Sequence, residues 1–466
     1  MMICAAGIGL TGCNSTGQTL DYEPPSGAVV KSFSLSADDK VLENLDKVFF
    51  SIDLTTGNIF NADSMPYGTK TDKLVPVITT GGASAVELVV SRPEKEDTTY
   101  NYLTNSTDSI DFSYAPVKLK IQSINESVTK VYTIKVNVHQ VKSDSLAWGD
   151  EAYSSLPTNL PSVDAQHTLK FKGKAYCLTA HGDSYCLSVS DNPGTKLWEN
   201  RTVSFAGAMQ VSTFRASSDA LYILDVDGNM YRSDDCGISW ASTGMTFDYL
   251  IGGYADIMIG TVNEGGTWKI AGSDGMKTDA PSDFPVTGTS EPLEYTFPMS
   301  STHQFTIVGG CTASGTITAS AWGFDGSDWA CLSNVPLGTA VEGAMLTPYY
   351  VFEENDYFVA TKESIFVVMG GRDKAGQYNR STFISYDYGV TWRKASDLMQ
   401  LPGYVPALYD SQTLVFPSTL GSRASTAITS WDCPYIYMFG GESANGDINT
   451  SVWRGVVNRL EFNPLQ

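Results

Sequence analysis

Tyr231-Arg-Ser-Asp-Asp-Cys-Gly-Ile-Ser-Trp240 has a twin further along the chain, Ile384-Ser-Tyr-Asp-Tyr-Gly-Val-Thr-Trp392. Both fit Ser-x-Asp-x-Gly-x-[Ser/Thr]-Trp: Ser233, Asp235, Gly237, Ser239 and Trp240 are matched by Ser385, Asp387, Gly389, Thr391 and Trp392. The pattern reads as strand, tight turn, strand. Asp and Ser side chains cap the turn amides, Gly supplies a backbone conformation that other residues resist, and Trp packs beneath the hairpin. A unit of this kind recurring in one chain points to a repeat architecture, and period-finding comes before every other test.

The turn between the third and fourth strand of each repeat can be followed along the chain. It falls at Ser190-Asp191, Ser233–Gly237, Ser273-Asp-Gly275, Phe324-Asp-Gly326 and Ser385–Gly389, with a sixth, lacking an acidic turn, near Val456–Arg459. Between these markers lie apolar second strands: 175–178, 221–224, 257–259, 305–308, 365–369 and 435–439. The expected fold is all-β: an N-terminal β-sandwich over residues 31–142, then a six-bladed β-propeller over 143–466. Seven blades is the alternative, because Asp410–Asp432 is long enough to hold another hairpin. The segment Ser145–Trp148 is expected to complete the last blade beside Leu460-Glu-Phe462, closing the ring.

The twin motif is similar to the Asp-box of sialidase-like propellers at every defining position. Three later second strands run into Gly309-Gly310, Gly370-Gly371 and Gly440-Gly441, with Trp329, Trp392 and Trp453 further on, which resembles a kelch blade. The strand Val131–His139, closing the first domain, resembles those ending immunoglobulin-like or cadherin-like modules. As a whole the chain resembles Bacteroidetes-type cell-envelope lipoproteins that join two such modules. The resemblance to sialidases implies an Arg triad and a Phe/Tyr-Arg-Ile-Pro element. Here Thr213-Phe-Arg-Ala-Ser217 keeps only Phe214 and Arg215, and no triad is legible among Arg201, Arg215, Arg232, Arg372, Arg380, Arg393 and Arg423.

Composition narrows the function. A formal charge of −21 over 466 residues argues against nucleic acid as a partner, since phosphate binding needs concentrated Lys and Arg. The four histidines (His139, His167, His181, His303) have no metal-ligand spacing, so neither a metal nor another cofactor is expected. Asp225-Val-Asp-Gly-Asn229 lacks the Glu of a calcium loop and reads as an Asp-Gly hairpin turn. Cys177 and Cys186 flank His181-Gly182; a two-residue turn there would set them opposite one another, as a possible disulfide.

Function in a propeller collects around the axis, on loops that follow the second strands. The Gly-Gly motifs locate two rich ones, supplying the candidate ligand-binding residues Arg372, Asp373, Tyr378 and Arg380, and Glu442, Asn445 and Asp447. Arginines, carboxylates and a tyrosine suit a glycan or a protein ligand. No Ser-His-Asp or Cys-His set is legible, so no catalytic residue is assigned. The expectation is a binding or interaction protein. The alternative is a carbohydrate-active propeller enzyme, either a sialidase-like glycoside hydrolase or a kelch-type sugar-acid epimerase.

Ile8-Gly-Leu-Thr-Gly-Cys13 places small residues before a cysteine after an apolar run, resembling a lipobox. Residues 1–13 are expected to be a lipoprotein signal segment and 14–30 a polar tether, with the lipid on Cys13 the sole membrane attachment. Met1-Met2 lacks a positively charged n-region, so the true start is expected upstream. The expected location is the cell envelope, as an outer-membrane lipoprotein facing the periplasm or the surface. Replacing Cys13 with Ser is expected to move the protein from the membrane to the soluble fraction on cell fractionation; an unchanged distribution would remove the lipid anchor.

Overall fold

A computed structural model of the chain describes residues 27–61, 64–114, 116–139, 142, 145–296, 302–354, 360–417 and 434–458. The lipobox with Cys13, most of the tether, Arg423, Cys433 and Leu460–Phe462 lie outside the described residues. The chain divides into two compact units, the first ending at Val138 and the second beginning at His139.

In the first unit a six-stranded sheet runs in the order Phe50–Asp53, Asn58–Asn61, Thr129–Lys135, Val117–Gln122, Ala85–Val90, Thr98–Asn101. A two-stranded sheet, Val30–Leu35 with Pro76–Thr80, covers it. Alternation decides which face is buried: in Val117–Gln122, Val117, Leu119 and Ile121 point inward while Lys118 and Lys120 face water. Tyr132 is fully buried; its hydroxyl donates to the Ala28 carbonyl and accepts from the Val30 amide. The tether is therefore shorter than expected, because Ala28 and Val30 already belong to this core.

Among the described residues the second unit contains, besides the two-stranded pair of Pro285–Thr287 with Cys311-Thr312, six larger sheets. Their first strands are Ala165–Phe171, Met209–Ala216, Tyr249–Tyr254, Leu293–Thr296, Glu342–Glu354 and Gln412–Phe416. Each is followed by antiparallel partners in sequence order, the meander of a propeller blade. The strand Gln412–Phe416 of the last sheet returns against Ala165–Phe171 of the first, so the first strands surround an axis. All six expected second strands are present, and the five acidic turns each lie between a third and a fourth strand. The last sheet takes its outermost strands from the start of the unit: Ser145–Trp148 pairs with Gly455–Asn458, and Ser154-Ser155 with Ser451-Val452. The closing strand thus lies along 455–458; its expected partner, 460–462, lies outside the described residues. The stretch Asp410–Asp432, where a seventh blade was considered, is described only as far as Pro417.

The twin turns fold alike. Ser233 Oγ donates to Asp235 Oδ1 at 2.8 Å and accepts from the Gly237 amide at 2.9 Å, while Asp235 Oδ1 accepts from the Ser239 amide at 2.9 Å. Ser385, Asp387, Gly389 and Thr391 repeat these contacts at 2.8, 2.9 and 2.8 Å. Gly237 has φ +85°, and a Cβ there would lie 2.3 Å from Leu187 Cδ2, so both conformation and space demand glycine. The Trp392 ring is buried and donates to the Gly389 carbonyl; Trp240 packs half-buried against Phe205 and Phe214. Asp225 caps the amides of Asp227 and Asn229, as a hairpin turn requires.

The cysteine hairpin differs from expectation by one residue. His181 pairs with Ser184, so Gly182-Asp183 forms the turn, and Cys177 faces Ser188 while Cys186 faces Thr179. The two cysteines share one face of the sheet diagonally and are free thiols. A shift of the turn by one residue moves every pairing by two, which is why the disulfide does not form. Burial pushes the Cys177 thiol up to about 12.

Hydrogen bonds to Ser239 hold the Asp235 carboxyl at about 2, below its unfolded value near 3.9. A carboxyl depressed on folding contributes stability above its unfolded value and loses it as pH falls through the folded one. The melting temperature of an Asp235→Asn variant should therefore fall less than that of the parent between roughly pH 4 and pH 2. Replacing Asp387 with Ala should cost about 1–2 kcal/mol by denaturant unfolding, from the turn bonds it removes.

Candidate functional site

Arg215 lies at the axis, on the first strand of the second sheet, and is 2% exposed. Its Nε donates to the Ile251 carbonyl at 3.2 Å, and its Nη1 to the carbonyls of Ser212 and Phe214 at 2.9 and 3.0 Å. Nη2 stands 3.2 Å from Glu291 Oε1, and Nη1 stands 2.9 Å from His167 Nε2. His167 is fully buried, and its Nε2 is also 3.0 Å from Glu291 Oε1. First strands of two sheets and the connection leading into a third first strand therefore contribute one side chain each to a compact cluster. A buried cation is costly unless paired, and here Glu291 and three carbonyls satisfy it.

Glu291 keeps 26% of its side chain open to the axial space. Burial pushes its carboxyl upward, but Arg215 and His167 outweigh that and hold it below the ordinary glutamate value. Asp410, entering from the sixth sheet, shows the opposite balance. Burial raises its carboxyl in spite of His167 and Arg215. Its backbone sits at φ +51°, in the left-handed region that non-glycine residues seldom occupy. Gln412, two residues on, accepts from Gln166 Nε2 and from the Thr168 amide, both at 3.1 Å, stitching the sixth sheet to the first.

Beside this cluster the axis opens into a cavity of about 880 Å³. Thr168, Arg215, Glu291 and Gln412 form its inner end. Leu169, Leu293, Leu346, Pro348, Leu414 and Val415 supply apolar walls. The lining continues to Phe171–Gly173, Ala216–Ser218 and Val415–Pro417, the places where first strands run out, so the mouth lies at that end of the axis. Gly253 on the third sheet allows the close approach of its neighbour: a Cβ there would stand 2.2 Å from the Ala216 carbonyl oxygen.

The loops following the Gly-Gly motifs emerge at the other end, because second strands run antiparallel to first strands. Arg372 Cζ lies 3.7 Å from the centre of the Tyr409 ring; its Nε donates to Glu342 at 2.9 Å, and its Nη1 reaches to 3.7 Å from Glu442. Tyr378 donates to the Ser443 carbonyl at 2.9 Å, joining the two loops. Arg372, Tyr378 and Glu442 are thus brought together. Asp373 instead caps its own turn at the amides of Ala375 and Gln377, and Arg380 donates to the carbonyls of Pro402 and Val405. Asn445 and Asp447 are exposed on the second loop.

Sequence reasoning missed His167, Glu291, Asp410 and Gln412, which come together only through the closed ring. It also missed Asn379 and Asn449. Asn379 Nδ2 donates to the carbonyls of Gly370 and Ser381, and Asn449 Nδ2 to those of Gly440 and Ser451. Their signal was present as an Asn at the same distance after two of the three Gly-Gly pairs.

Comparison with known families matches residues 29–136 to the N-terminal domain described as a domain of unknown function (DUF6242), and residues 142–465 to the DUF6242 β-propeller domain. No curated protein matches the chain. Among solved structures, that of YjhT is similar at 12% identity and a TM-score of 0.40, covering 64% of this chain and 95% of that one. SapL1 lectin, solved in complex with α-methyl fucoside, is similar at 10% identity and 0.36, covering 62% and 95%. The N-terminal domain of Nup159 is similar at 13% and 0.32, covering 67% and 96%.

The two axial carboxylates should respond oppositely to neutralisation. Asp410, raised on folding, costs stability once pH exceeds its unfolded value, so Asp410→Asn should melt higher than the parent at pH 7.5 and equally near pH 4 or below. Asn also tolerates the left-handed backbone. Glu291→Gln leaves Arg215 without its anion and should lower stability at pH 7.5 by about 2 kcal/mol or more. Thermal melts of both variants across pH check the pair.

Proposed function

This chain belongs to the family of the DUF6242 N-terminal and β-propeller domains, and we propose that it is a binding protein whose propeller axis receives a glycan. One observation carries this reading: an open axial cavity with apolar walls ends on a cluster of polar groups from several sheets. Its volume lies within the range of small-ligand sites, about 300–1,000 Å³. Hydroxyl groups of a sugar can donate to Glu291, whose side chain is partly open to the cavity, while its C–H faces lie on Pro348 and Val415.

Binding is favoured over sialidase-like hydrolysis by the state of Arg215. The residue that corresponds to the sialidase-like Phe-Arg element is bound to Glu291, His167 and three carbonyls, so its guanidinium is committed within the protein. An arginine reserved for a substrate carboxylate would keep donors free. The cluster of Arg372, Tyr378 and Glu442 at the opposite end offers a second contact surface, for a protein or a longer glycan. A lipid on Cys13 would hold the molecule in the cell envelope.

The test is a glycan panel probed with the purified protein and with a Val415→Trp variant, whose indole fills the cavity from a half-buried wall position. Binding to at least one glycan, weakened tenfold or more by Val415→Trp with the melting temperature preserved, is the expected result. An empty panel, or binding indifferent to the tryptophan, would overturn the axial site.

A further inference from the structure

The cavity mouth carries two ammonium groups without acidic partners. Lys170 and Lys172 both line it, flanking the buried Phe171 at the end of the first strand. Lys170 Nζ donates to the Val415 carbonyl at 3.2 Å and lies 4.7 Å from the centre of the Phe416 ring. Lys172 Nζ donates to the Asp219 carbonyl at 3.0 Å and lies 4.7 Å from the Phe171 ring. An ammonium has three donors, so each lysine places one on a backbone carbonyl and retains two. Burial lowers the Lys170 pKa, and no carboxylate acts against it.

The other charges lining the cavity are already matched. Arg215 is held by Glu291. Glu294 accepts from the Ala255 amide at 3.1 Å and stands 3.4 Å from His303 Nε2. Elsewhere among the described residues of the second unit Lys174 meets Asp191, and Lys269 and Lys277 share Glu264, while Lys196, Lys374 and Lys394 have no ion pair but do not line the cavity. In a chain of formal charge −21 acidic partners are abundant, yet among the described residues these two lysines have none.

Resting on the axial-site reading above, we propose that the glycan received by the cavity is acidic, its carboxylate or sulfate substituent held at the mouth between Lys170 and Lys172. The two lysines supply charge and four free donors at the entrance, while the inner end, neutralised by its own ion pair, accepts the uncharged part of the sugar. Carboxylate and sulfate share this chemistry: each presents anionic oxygens that accept from ammonium groups.

The test compares each acidic oligosaccharide with the same backbone stripped of charge: oligogalacturonate against its methyl ester, and a carrageenan hexasaccharide against its desulfated form. Affinities are measured by calorimetry at 50 and 200 mM salt. At least one acidic form should bind about tenfold more tightly than its neutral counterpart, with the difference shrinking at high salt. Which pair shows the preference tells carboxylate from sulfate. A double variant, Lys170→Gln with Lys172→Asn, should bind the acidic and neutral forms alike; Asn suits the +48° φ at position 172. Equal binding of acidic and neutral forms by the parent, or a preference that survives in the double variant, overturns the charge inference while leaving the axial site standing. Absence of binding to all four, together with an empty glycan panel, removes both.

Discussion

Closure of the ring is the constraint on which the second unit depends. A meander of sheets has two free edges, and each exposes unpaired amides and carbonyls. Here Ser145–Trp148 lies along Gly455–Asn458, so the last sheet is completed from the beginning of the unit. Gly455 makes room for the partner side chain: a Cβ there would lie 2.9 Å from Trp148 Cδ2. Tyr404 donates to the Trp148 carbonyl, and the Gly149 amide to that of Arg454, extending the seam on both sides. Only a closed ring brings Gln412 beside Thr168, and Asp410 within the fields of His167 and Arg215.

The axial cluster follows from that geometry. Side chains converge at the axis, where Arg215 and His167 are buried, and electrostatic interactions there are stronger than at the surface. Arg215 and Glu291 neutralise one another, whereas Asp410 has an unfavourable setting and a strained backbone. Residues of this kind concentrate at functional sites, because folding alone has no reason to retain them. At the mouth the logic reverses: Lys170 and Lys172 rest on backbone carbonyls and aromatic rings and have no acid beside them.

Architecture was legible because its signals are local. Asp235 and Asp387 cap turns a few residues away, and apolar second strands end in glycines whose conformations are set by their own backbone. The same locality marked where the Gly-Gly loops begin. It did not reveal that Arg380 would be spent on the carbonyls of Pro402 and Val405, or Asp373 on its own turn, since a charged loop residue looks alike whether it braces the fold or meets a ligand. Nor could it bring together His167 and Arg215, on the first strands of two sheets, with Glu291 and Asp410, on the connections that lead into two others. The cysteine hairpin shows the limit at short range. Either Gly182-Asp183 or His181-Gly182 satisfies a two-residue turn, and only packing of the strand decides between them.

The paired amide clamps of Asn379 and Asn449 have a consequence for how such a propeller can diversify. Each asparagine ties the carbonyl of the first glycine before the loop to that of the second residue beyond itself, so both ends of the loop are fixed by the same short device. The residues between are of equal number in the two sheets, and their identity plays no part in the clamp. Each loop is in effect a cassette with standard fittings. Its exposed tip, Lys374–Gln377 or Ala444–Asp447, lies outside the clamp, while Arg372 and Tyr378 keep the loop tied to its neighbours.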